Sequence, residues 1–183
     1  MRHITRVVLA GIVLWGLAAV NAEARQEKNL YDKLSHQASV KARVALFEDA
    51  TADKKTDAGD LKSNIEKALS ERKSIKFEIV NDNAAADITI EGKITELVWS
   101  DQDPVDMIAG LGAVAMDAAM VEHYCSLTAD VSVTDSKTGH ALWKDTVRAT
   151  VTTNDMTKEN FGSFIYKDFA KVFIKEAFSA SKK

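Results

Sequence analysis

The feature that most restricts how this chain can fold is a pair of period-two runs separated by a turn. Cys125, Leu127, Ala129, Val131 and Val133 fall on one side of an extended segment, with Tyr124, Ser126, Thr128, Asp130 and Ser132 on the other. After Lys137-Thr138-Gly139-His140 the pattern resumes: Trp143, Val147, Ala149 and Val151 are opposed by Lys144, Thr146, Arg148 and Thr150. Successive residues of a strand point to opposite faces, so runs of this kind bury one face and wet the other. They read as a β-hairpin that needs an apolar layer against it.

Two helices with apolar stripes can supply that layer. Leu61, Ile65, Ala68 and Leu69 recur at helical spacing, as do Phe161, Ile165, Phe169, Val172, Phe173 and Ala177. Three further strands precede the hairpin. Val40, Ala42, Val44 and Leu46 alternate with polar neighbours, and Ile75, Phe77 and Ile79 form a short run. Then Ala86, Ile88, Ile90, Gly92 and Ile94 share one phase, which shifts to Leu97 and Trp99. A slip of one residue turns side chains over, so a bulge is expected near Thr95-Glu96. The segment after Phe47 (EDATADKKTDAGD) reads as turn and cap chemistry.

The expected fold class is therefore α+β, a two-layer sandwich. Two amphipathic helices pack on one face of a mixed four- to five-stranded sheet, in the order β-α-β-β-[apolar helical insert]-β-β-α. The first strand–helix–strand unit should be a right-handed crossover. The other sheet face, rich in Thr, Ser and charge, is either solvated or a partner surface.

The amino terminus reads as a secretory signal. Arg2 and Arg6 precede an uncharged run at 7–20 (VVLAGIVLWGLAAV), followed by Asn21-Ala22-Glu23-Ala24. Cleavage is expected after Ala24, with Ala22 as the fallback. The competing reading is a membrane anchor, but a spanning helix needs about 20 apolar residues and this run is shorter. Removing 24 residues from 183 leaves 159, an ordinary size for one domain. The expected organisation is a signal peptide at 1–24, a lead-in at 25–39, one domain at 40–178 and a polar tail at 179–183. The only cysteine, Cys125, lies far from the cleavage point, so no lipid-bearing cysteine is expected there and no internal disulfide can form. Loss of Arg2, Arg6 and Glu23 takes the net charge from −3 to −4, which offers no electrostatic reason to expect nucleic acid or anionic lipid.

Between Trp99 and Tyr124 lies a connection far longer than the roughly 2 to 5 residues a hairpin needs. It contains an apolar insert at 105–121, whose stretch 107–121 (MIAGLGAVAMDAAMV) has Asp117 as its one charge. Three readings stay open. It is a helix of roughly 22 Å packed on the domain. Or it is an exposed element that meets a partner or membrane through Met107, Ile108, Leu111, Val114, Met116 and Met120, with Trp99 at its base. Or Gly110-Leu-Gly112-Ala-Val-Ala115 is a dinucleotide fingerprint, although the strand that motif requires does not precede it.

Few residues suggest other chemistry. His123 and Cys125 share a strand face, yet no third zinc ligand accompanies them. Two acidic loops are calcium candidates, one with Asp49, Asp53 and Asp57 (Asp60 follows), the other with Asp101, Asp103 and Asp106. Neither has EF-hand spacing, so turn and cap roles compete with ion binding. No G-x-S-x-G nucleophile motif is present, and the reading is of a non-enzyme that needs no cofactor.

The phrases VALFEDAT, LKSNIEKAL, ADITIEGKITELVW and LTADVSVTDSKTGHALWKD, with the closing helix, resemble envelope proteins of the anticodon-binding-domain-like fold. These include the lipopolysaccharide-assembly lipoprotein, the curli-secretion lipoprotein and the amino-terminal domain of TolB. The D-x-x-T-G-x-x-L-W phrase at 135–143 carries most of the likeness, which spans roughly residues 40 to 178. The resemblance implies a non-enzymatic periplasmic accessory or assembly protein that binds an envelope protein or a lipidic molecule. The contact would be the 107–121 element or the open sheet face. The alternative is a soluble periplasmic small-ligand or calcium-binding module.

Overall fold

The computed structural model describes residues 30–52, 56–100 and 123–179. Helix α1 (Leu30–Ser35) leads into strand β1 (Val40–Val44) and the two-residue strand β2 (Glu48–Asp49). Helix α2 (Ala58–Ser70) and strand β3 (Phe77–Ile79) follow, then three strands of thirteen residues each: β4 (Ile88–Ser100), β5 (His123–Asp135) and β6 (Ala141–Thr153). Helix α3 (Phe161–Phe178) ends the described chain. The strands form one mixed sheet in the order β3-β1-β4-β5-β6, with β2 also pairing β4. β1 runs parallel to β3 and β4, while β4, β5 and β6 are antiparallel to one another. The helices cover the face that carries the core, giving the α+β two-layer sandwich that the patterning predicts.

Local chemistry explains each element. Asp57 caps α2 by accepting the Asp60 N–H at 2.9 Å, and Leu61, Ile65 and Leu69 make its buried stripe. In α1, Leu30 and Leu34 sit one turn apart and both are buried, so the lead-in contributes a third helix to the core. The hairpin turn is built by Asp135, whose carboxylate accepts the N–H groups of Lys137 (2.9 Å) and Thr138 (2.8 Å). Gly139 then adopts φ +71°, a conformation that favours glycine. The phrase that carries the family resemblance is thus turn chemistry.

The ladder between β4 and β5 shifts between Ile94 and Glu96. Thr95 is the extra residue, and its hydroxyl donates to the Thr128 carbonyl at 3.2 Å. The slip keeps Leu97 opposite Leu127 and Trp99 opposite Cys125, both partners fully buried. The bulge lies where the change of phase places it.

Two expectations are corrected. Leu46 was expected to continue the inward face of the first strand, but β1 ends at Val44 and Leu46 is 65% exposed. Phe47 turns inward instead, into a slot left by Gly92. A Cβ on Gly92 would stand 2.3 Å from the Phe47 ring and 2.9 Å from the Asp130 carbonyl oxygen. The Phe47 ring in turn meets Phe169 of α3 edge-on at 6.5 Å. Second, Glu48 and Asp49 are not purely loop. They pair in parallel with Lys93 and Ile94, and the Ala50 N–H bonds the Ile94 carbonyl at 2.9 Å.

The opposite sheet face is polar and bonded to itself. Ser132 donates to Glu91 (3.2 Å), Thr128 to Glu96 (3.2 Å) and Thr146 to Asp130 (2.7 Å). Among the described residues no helix is long and apolar enough to cross a membrane.

Helix α3 joins both halves of the chain. Its rings reach Phe77 and Trp143 through Phe178 (5.2 Å) and Phe173 (5.7 Å). Arg72, beyond α2, donates to the carbonyls of Ile174 and Phe178 at the α3 carboxyl end, where the last turn lacks internal donors.

Because the Phe47 ring occupies the Gly92 slot, Gly92→Ala is expected to cost about 2–3 kcal/mol in urea unfolding through overpacking. Adding Phe47→Leu should make the double variant less destabilised than the sum of the single changes, the signature of a direct contact.

Candidate functional site

The re-aimed end of β4 forms one wall of a cleft of about 500 Å³. Thr95, Glu96, Leu97, Val98 and Trp99 line it from the sheet, Thr51 and Ala52 from the loop after β2, and Lys158 and Phe161 from the start of α3. Trp99 lies between two rings. His123 stacks on it at 5.5 Å and 17°, and Phe161 meets it at 5.6 Å and 41°. The indole is half-buried, an apolar body with one side toward the cleft. Thr51, Thr95, Glu96 and Lys158 are the polar residues of the cleft's lining.

Two neighbouring features frame the cleft, strand β5 beside Trp99 and the loop after β2. Cys125, the cross-strand neighbour of Trp99, is fully buried, and burial pushes its thiol up to about 12. It is therefore protonated at neutral pH and serves packing, since the thiolate is the nucleophilic form. Asp49 organises the loop that bears Thr51 and Ala52. Its carboxylate accepts the Thr51 N–H (2.9 Å), the Thr51 hydroxyl (2.6 Å), the Thr56 N–H (3.1 Å) and the Thr56 hydroxyl. Burial would raise this carboxyl, but the hydrogen bonds outweigh it and hold it at about 2. Tyr166 of α3 completes the frame by accepting the Asp57 N–H at 2.8 Å.

Of the residues singled out in the sequence, Trp99 lies in the cleft. Met107, Ile108, Leu111, Val114, Met116 and Met120 lie outside the described residues, as do Asp53, Asp101, Asp103 and Asp106. Asp49 and Asp57 direct their oxygens to loop donors and to the α2 cap. Among the described residues no group of three or more His, Cys, Asp or Glu side chains comes together. Leu97 and Phe161 belong to the apolar core pattern of the sequence, which marks neither as part of a site. The phase shift at Thr95 was the signal that Leu97 and Trp99 share a face. Nothing local marks Lys158, Thr51 or Ala52, which arrive through tertiary structure.

Asp49 links this loop to pH. Its folded value, about 2, lies below the ordinary aspartate value of about 3.9. Its contribution is thus complete above pH 4 and lost as pH falls through about 2. Asp49→Ala is expected to lower stability by about 1 kcal/mol at pH 7, with the gap to wild type closing between pH 4 and 2 in urea unfolding.

No family model matches the chain, and no curated protein matches it. Solved structures do. The hypothetical protein CT253 from Chlamydia trachomatis is 11% identical with a TM-score of 0.50, covering 79% of this chain and 100% of that one. The PelC dodecamer from Paraburkholderia phytofirmans is 15% identical, with a TM-score of 0.48 and coverage of 78% and 90%. Lipoprotein GNA1162 from Neisseria meningitidis is 14% identical, with a TM-score of 0.42 and coverage of 68% and 92%. At such identities a likeness speaks for the fold alone, and the one to CT253 places this chain's sandwich among known bacterial architectures.

Proposed function

We propose that this is a non-enzymatic protein of the bacterial envelope, exported to the periplasm, that holds a protein or lipidic partner. The contact surface is the cleft at Trp99 together with the 107–121 element that follows it in the chain. The observation that carries this reading is the cleft itself. Leu97, Trp99 and Phe161 give it apolar walls, and a few polar residues of its lining give a partner its orientation. Cys125, the one thiol of the chain, is buried and protonated beside Trp99 and offers the cleft no nucleophile. Export rests on the Arg2/Arg6, 7–20 and Ala22/Ala24 pattern. The open sheet face is the weaker contact, since its polar side chains already bond one another.

A second reading, a soluble small-ligand module, draws support from the cleft volume, which falls within the roughly 300–1,000 Å³ of small-molecule sites. Its calcium version rests on Asp53, Asp101, Asp103 and Asp106.

The test places a photocrosslinking amino acid at Leu97 or, as a control on the opposite face, at Lys144. The expected result is an envelope partner or lipid captured from Leu97 and not from Lys144. Trp99→Ala, checked for an unchanged melting profile, should reduce capture by about tenfold, as loss of a buried aromatic anchor does. Flotation with phosphatidylethanolamine/phosphatidylglycerol vesicles separates a lipidic from a protein partner. Equal labelling from both positions, with no flotation, would sink the reading, and a small molecule co-purifying with the chain would favour the second.

A further inference from the structure

Strand β6 ends the sheet on one side. Its inner edge pairs with β5, and among the described residues no strand pairs with its other edge. An open edge of thirteen residues is a template for strand addition. The occupant most readily supplied is a second copy of this chain. Every copy brings the same edge, and antiparallel pairing of a strand with itself closes as a two-fold dimer.

Two observations converge on Asp145. By register it stands opposite Val131, a buried residue of the core face, and it alternates with the buried Trp143 and Val147 on that same face. Yet Asp145 is exposed. A carboxylate on the core side of an edge strand must be desolvated if another sheet is laid alongside, which makes inward-pointing charge a guard against pairing. Secondly, the Asp145 carboxylate accepts the backbone N–H of the next residue, Thr146, at 2.8 Å. That donor is spent on a side chain and is withdrawn from any incoming strand. Glu176 of α3 lies close enough for Asp145 to act on its ionisation: burial, then Asp145, raises the Glu176 carboxyl. A second acid therefore flanks the same stretch of edge.

We propose that Asp145 guards that edge of β6, which no described strand pairs, against pairing with a second copy of this chain, by occupying the Thr146 N–H and by holding a carboxylate on the core side of the strand.

The test uses the chain as purified after export. Asp145→Thr removes both elements of the guard and keeps a strand-forming residue, while Lys144→Thr removes a neighbouring charge from the opposite face. The mass measured by light scattering at high concentration is expected to double or rise further in Asp145→Thr and to match wild type in Lys144→Thr. An Asp145→Thr mass equal to wild type overturns the proposal. Hydrogen exchange of the wild-type chain gives a reading that needs no variant. The Thr146 amide should exchange more slowly than those of Lys144 and Arg148, which share its edge, at every concentration. Equal exchange at the three amides, or protection of all three that grows with concentration, overturns it as well.

Discussion

Thr95 has no partner residue on β5, and the directions of the side chains beyond it depend on that. Up to Ile94 the even-numbered residues of β4 face the core; from Leu97 onward the odd-numbered ones do. Because side chains alternate along a strand, the single extra residue rotates the end of β4 by half a repeat. Trp99 then stands beside Cys125 and against Phe161, whereas an unbroken ladder would have turned it to the polar face. The cleft exists because a thirteen-residue strand changes phase once, and the hydroxyl of the extra residue is bonded across to Thr128.

What lies over the sheet depends on a second economy of space. Phe47 enters between β4 and α3 because Gly92 has no side chain, and the same insertion forces Leu46 out into solvent. Helix α3 then meets aromatic side chains from across the chain: Phe47, Phe77, Trp99 and Trp143. Polar ties at both ends hold that helix in place, Tyr166 with the Asp57 N–H at one and Arg72 with the last carbonyls at the other. The apolar walls of the cleft, Leu97, Trp99 and Phe161, are therefore packed against the core, and such preorganised walls lower the entropy cost of binding.

Much of the fold was legible because it is written in local periodicity. The hairpin, the stripes of α2 and α3 and the phase change at Thr95 each follow from which neighbours are apolar. Elements that owe their existence to distant partners were not. β2 consists of two residues without strand character of their own, extended because Lys93 and Ile94 offer them a ladder. Leu46 and Phe47 exchange directions because of Gly92, some 45 residues away, and nothing in their own neighbourhood distinguishes one from the other. The same holds for the site. Trp99 and its facing could be read from sequence, while Thr51, Ala52 and Lys158 reach the cleft only through the Asp49 loop and the seat of α3.

The sequence by itself determined the class of the fold: alternating and helical apolar patterns leave an α+β sandwich as the way to bury both sets of faces. It also determined that one β4 residue had to slip and that Lys137-Thr138-Gly139-His140 would make a turn. Tertiary structure alone decided the strand order, with β1 between β3 and β4 and β6 left at the edge, because apolar alternation specifies a face and not a neighbour. It also decided that the carboxylate of Asp49 would be spent on a loop and that of Asp145 on an edge. Their hydrogen-bond partners acquire meaning only once the sheet has an order and a side open to solvent.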